Sequence, residues 1–193
     1  MREQMSEDRG QRSGIAEITI EVAKLRHADV IAQGMRAADI EEVMASHGHE
    51  PLQAAQGSIL SSRFAYVGCA DGVPFYLFGM RDGTAFSNVG SVWGLGTDEL
   101  PRHAKSFWPA SVNFIAFCRG HVDRLENYVD VRNLMSIAWL RRLGFQFDEP
   151  APYGVDERDF MRFWMKGGLL ALPIASRGQR SETKLGERSC ALH

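Results

Sequence analysis

Three potential metal ligands fall within four residues at His47-Gly-His49-Glu50. Structural zinc needs about four ligands, with a second pair elsewhere in the chain. No Cys or His pair answers this one, so the segment reads as a solvated loop at a helix end, without metal. Cys69 stands in an apolar run and Cys118 on an apolar helical stripe, which marks both as inert core thiols. With Cys190 they make three cysteines, few, odd in number and widely spaced. That usage suits free thiols in a reducing compartment. His103 and His121 flank one helix, and a His at a helix C-terminus is favoured by the dipole, so His121 reads as an end group rather than a base. Trp93, Trp108, Trp139 and Trp164 read as core, with Trp93, beside two glycines, the one placed to line a groove. Gly96-Thr97-Asp98 by itself reads as a tight turn with Asp98 capping the next helix.

These groups need a scaffold. A chain of 193 residues, 45% apolar and 24% charged, is expected to form one domain. A net charge of −2 offers no electrostatic case for nucleic-acid binding. No stretch approaches the ~20 apolar residues of a bilayer span, and the polar first 14 residues hold no apolar run for a signal peptide. The expectation is a soluble intracellular protein with a domain over 15–168 and flexible tails over 1–14 and 169–193. Alternation at Ile18, Ile20 and Val22 predicts a strand, helical spacing predicts a helix over 27–47, and Pro51 opens another over 51–61. Phe64 to Ala70 and Val73 to Met80 flank Asp71-Gly72, a hairpin signal. Arg81-Asp82-Gly83 leads into a third strand over 84–92. A helix over 98–118 contains Pro109, which predicts a kink. Then come a buried strand at 127–131, a helix ended by Gly144 and a strand from Phe145. A Pro-rich loop at 149–154 precedes a last strand over 160–165. The class is α+β, with a mixed, largely antiparallel sheet of about six or seven strands and four helices.

The order of elements, with Asn133, Ser136 three residues later, and Gly144-Phe145 eleven and twelve later, resembles the GNAT acetyltransferase fold. Within it the chain resembles the phage proteins related to internal virion protein A of short-tailed coliphages. The matching residues are Trp93-Gly-Leu-Gly-Thr-Asp98, Leu125-Glu-Asn-Tyr-Val-Asp130, Asn133, Trp139-Leu-Arg-Arg-Leu-Gly-Phe145, Pro152-Tyr-Gly154 and Phe160 to Met165. The resemblance covers roughly residues 16–166.

The GNAT resemblance implies a coenzyme A site at Trp93, Gly94, Leu95, Gly96 and Thr97, where bare N–H groups at a helix N-terminus would cradle the pyrophosphate. Asp98 and Glu99 place negative charge there, and no Arg or Gln precedes the glycines. Asn133 would orient substrate or a backbone bulge. Many GNAT enzymes place a proton-donating Tyr seven residues after the Asn, and here that position is Leu140. Tyr128 and Tyr153 are the alternative hydroxyls, read from the residues as a buried strand position and a loop position. The resemblance therefore implies a catalytically weak or inactive phage protein, in the virion or the host cytoplasm, acting with phage structural proteins in assembly or genome delivery. The alternative is an acetyl-CoA-dependent N-acetyltransferase.

Overall fold

The computed structural model of the chain describes residues 16–83 and 87–168. The tails expected at 1–14 and 169–193, and Thr84 to Phe86 of the predicted third strand, lie outside them.

Asp71 and Gly72 both take positive φ, 49° and 80°, and close the tightest turn of the sheet. This left-handed geometry matches the twist of the flanking strands, which is why an Asp-Gly pair marks a hairpin. The strands it joins are β2 (Phe64–Ala70) and β3 (Val73–Asp82). β1 (Ile18–Val22) pairs with β2, and β4 (Val89–Gly96) with β3, all antiparallel. The third strand is described from Val89 onward, and it runs past the predicted end at Val92 to include Gly94, Leu95 and Gly96.

Across the middle, β4 meets β5 (Arg124–Asp130) in parallel. Pairing covers only Val89–Arg124, Gly90–Leu125 and Ser91–Glu126. Beyond Ser91 and Glu126 the ladder stops, and the Asn127 side-chain amide spans the opening to the Val92 carbonyl at 2.9 Å. β8 (Arg158–Lys166) follows β5, flanked in turn by β6 (Gln146–Phe147) and β7 (Ala151–Tyr153). These two short strands bring the sheet to eight among the described residues, and β7 falls where a Pro-rich loop is predicted.

The helix predicted over 27–47 is two: α1 (Leu25–Gln33) and α2 (Ala37–His47). They are separated because Met35 bridges Thr97 at the end of β4, with the Arg36 N–H on the Gly96 carbonyl and the Asp98 N–H on the Gly34 carbonyl. Backbone groups bonded to a strand cannot continue a helical ladder. Five helices result among the described residues, the others being α3 (Pro51–Leu60), α4 (Leu100–Arg119) and α5 (Leu134–Arg142). α4 runs on through Pro109.

Alternation along β3 sends Leu77 and Phe78 to opposite faces. Leu77 joins Ala28, Ile31 and Ala55 of α1 and α3; Phe78 joins Phe75, Leu100 and Phe107 under α4. A third cluster, with Leu125, Val129, Ile137 and Phe163, seats α5 and the second half of the sheet on the α4 side. Cys69 and Cys118 sit in these cores, and burial raises both thiols, Cys118 to about 12. Neither has the thiolate character that reactivity needs.

Candidate functional site

Where β4 and β5 part, a cavity of about 450 Å³ passes between them. It is lined from one side by Val43, Ser46 and His47 of α2 with Ser58 of α3, and from the other by Phe107 of α4 and Trp139 and Leu140 of α5. Because these helices cover opposite faces, the cavity crosses the sheet.

A polar network closes its middle. Asp39 is 3% exposed, in the first turn of α2, and accepts from four donors. Arg36 Nε and Nη2 reach it at 3.1 and 2.5 Å, the Gly96 N–H at 2.8 Å and Asn133 Nδ2 at 3.2 Å. Arg36 Nη2 also donates to Ser136 Oγ of α5 at 3.3 Å. Asn133 Nδ2 donates to Glu42 at 2.9 Å, while its own Oδ1 accepts the Ser136 N–H and so caps α5. Glu42 keeps some surface, and that surface opens on the cavity. Burial pushes its carboxyl up to about 7 against the pull of Asn133, with Asp39 adding to the rise. Asp130 lies the other way: burial alone would raise it, but bonds from Arg132 hold it below the usual carboxylate range.

The N–H groups after β4 are all committed. Gly96 donates to Asp39, Thr97 to the Phe75 carbonyl at 2.9 Å and Asp98 to Gly34 at 3.0 Å. Glu99 donates to Thr97 Oγ1 at 3.3 Å and Leu100 to the Thr97 carbonyl at 2.9 Å; Pro101 has no N–H. Glu99, rather than Asp98, is the cap residue of α4, and the side-chain acceptor there is Thr97. The glycines make room for side chains of the chain itself. A Cβ on Gly94 would lie 1.9 Å from Tyr76 Oη, and one on Gly96 would lie 2.6 Å from Leu100 Cδ2.

Three solved structures share this arrangement of strands and helices. An N-acetyltransferase from Staphylococcus aureus Mu50 aligns at TM-score 0.60 and 12% identity over 78% of this chain and 99% of its own. A GNAT-family acetyltransferase from Streptococcus pneumoniae aligns at 0.57 and 10% over 79% and 100%. The yncA protein of Salmonella typhimurium, solved with its cofactor acetyl-CoA, aligns at 0.55 and 16% over 83% and 100%. The fold is that of the GNAT acetyltransferases. No protein-family model matches the sequence, and no curated protein does.

Within the GNAT fold the residues singled out by sequence take these places. Trp93, Gly94 and Leu95 line the cavity, whereas Gly96 and Thr97 are buried outside its wall. Trp93 Nε1 donates to Ser62 at 2.8 Å. Leu140 lines the cavity, as do Tyr128 and Tyr153, whose rings stack 3.9 Å apart at 9°. Tyr128 is 36% exposed rather than buried, and Tyr153 is in β7 rather than a loop. Arg142 lies over the Trp108 ring at 4.1 Å, and Trp108 meets Trp139 edge-on, so this arginine packs against aromatic surface. His121 bonds the Phe117 carbonyl at 2.8 Å as a helix-end group. Among the described residues no group of three or more His, Cys, Asp or Glu could hold a metal.

Arg36, Asp39, Glu42 and Tyr76 escaped the sequence reading. The first three, with Ser46, recur every three or four residues and form a polar stripe that a helical-period count detects. Nothing local marks Tyr76 within its aromatic strand. The residues present do not fit a pyrophosphate cradle: the donors are spent, and Asp39 already supplies the anion.

Proposed function

We propose that this protein keeps the GNAT fold without using acetyl-CoA in the way the fold's enzymes do, and serves as a catalytically silent component of a phage particle or its assembly. One observation carries the first half: each N–H from Gly96 to Leu100 is bonded within the chain, the first of them to a buried carboxylate. An incoming pyrophosphate would have to break those bonds and sit beside Asp39, Asp98 and Glu99, at a cost in desolvation and like-charge repulsion. Leu140, which cannot donate a proton, supports the same reading. The second half rests on the sequence resemblance at 93–98, 125–130 and 139–145. Calorimetric titration with coenzyme A and acetyl-CoA tests the first: no heat up to about millimolar cofactor is expected, and micromolar binding overturns it. Mass spectrometry of purified particles tests the second, and absence of the chain removes it.

N-acetyl transfer is the second reading. It is favoured by the cavity that crosses the sheet with Glu42 facing it, because a carboxyl near 7 is suited to take a proton from an ammonium group. The same titration decides between the two.

A further inference from the structure

Arg81 stands on β3 opposite Ser91 of β4 and lines the cavity on the side covered by α2 and α3. Among the described residues its buried Nε has no hydrogen-bond partner and the guanidinium no ion-pair partner. The neighbouring arginines differ. Arg36 is paired with Asp39, Arg132 with Asp130 and Glu41, and Arg162 with Asp148. Buried polar groups are almost always satisfied, and what sets this arginine apart is that its guanidinium lines the cavity with no carboxylate of the described residues to neutralise it.

The surroundings define that partner. His47 and His49 lie at the same mouth, stacked 5.6 Å apart, with His47 Nδ1 and Ser46 Oγ at 2.7 Å. Burial, then His49 and Arg81, lower the His47 value, which favours the neutral imidazole beside the Arg81 guanidinium. The Tyr128–Tyr153 stack and Trp93 supply flat apolar surface beside it. A planar fork of donors matches a carboxylate in bidentate fashion, and aromatic walls suit a flat body behind it.

We propose that Arg81 anchors a binding site for a small aromatic carboxylate at this mouth of the cavity, with the ligand's ring against Trp93 and the Tyr128–Tyr153 pair. The site uses none of the groups at Gly96 to Leu100, so it stands whether or not the cofactor titration supports the proposed function.

Benzoate titrated into the full chain, followed by amide chemical shifts, is the test, with benzamide as the neutral isostere. Saturable benzoate binding with shifts centred on residues 46–49, 81, 128 and 153 is expected, with none for benzamide. Arg81→Gln should weaken binding about ten- to hundredfold, the range lost with a hydrogen bond to a charged group. Arg81→Lys, which keeps charge but loses the fork, should weaken it less. Arg102→Gln, altering an exposed pair with Glu99, should leave it unchanged. Equal binding of benzamide, or undiminished affinity in both Arg81 variants, overturns the proposal. So does the lack of saturable binding at tens of millimolar benzoate. The comparison of benzoate with benzamide needs no variant, so it holds even if one fails to fold.

Discussion

The Gly96 amide donates to the Asp39 carboxylate at 2.8 Å, tying the last residue of β4 to the first turn of α2. The Arg36 N–H takes the Gly96 carbonyl at 2.9 Å, so both polar groups of this glycine are held by one segment. Asp39 also gains from its place near a helix N-terminus. Replacing it leaves the Arg36 side chain, 10% exposed, without its counter-charge. Asp39→Asn should lose roughly 3–5 kcal/mol, read as a lower urea midpoint at unchanged slope.

Glu42 makes stability depend on pH. Its value is about 7 in the fold against an ordinary 4.5, so the folded chain holds the proton more tightly. Its contribution is fully present below pH 4.5, falls as pH rises from there, and is lost above about 7. Glu42→Gln removes this dependence and can still accept from Asn133 and Asp130. The variant should be more stable than the parent by roughly 3 kcal/mol at pH 8 and near parity at pH 4, measured by urea unfolding across pH.

Gly94 faces the Tyr76 hydroxyl so closely that no methyl group fits. The Tyr76 ring packs against Phe78 and Phe107, which keeps it from swinging aside. Gly94→Ala should cost about 1–3 kcal/mol, and Tyr76→Phe in the same chain should recover part of it. Thermal unfolding of the two single variants and the double variant gives the coupling; strict additivity would refute the contact.

Asn133→Asp keeps a good cap for α5 but sets a third carboxylate where an amide donated to Asp39 and Glu42. At pH 5 Glu42 holds its proton and relieves the repulsion. The loss should therefore be about 1–3 kcal/mol greater at pH 8 than at pH 5, by the same unfolding measurement.

Much of the fold was legible because its signals are local. Asp71-Gly72, Pro51 and the alternation of β1 each act through a few neighbouring residues, and the structure keeps them all. The candidate site was less legible. Trp93, Leu140, Tyr128 and Tyr153 do meet at one cavity, yet the stacking of two tyrosines from β5 and β7 depends on a short strand that Pro152 disguised as a loop. The split of one predicted helix into α1 and α2 was hidden for a similar reason, since its cause is Thr97, far along the chain.

Sequence alone determined most of the strands and helices, though neither β7 nor the break between α1 and α2, as well as where the main hairpin turns and that a helix follows Asn133 and ends before Gly144. Periodicity and turn chemistry are properties of adjacent residues, so they need no partner to be read. Only the tertiary structure decided who takes the backbone donor of Gly96 and the amide of Asn133. Their partners lie 57 and 94 residues away on α2. Hydrogen-bond donors take whichever acceptor folding brings near, and a glycine prepared for close approach is equally open to a phosphate or to the chain's own carboxylate.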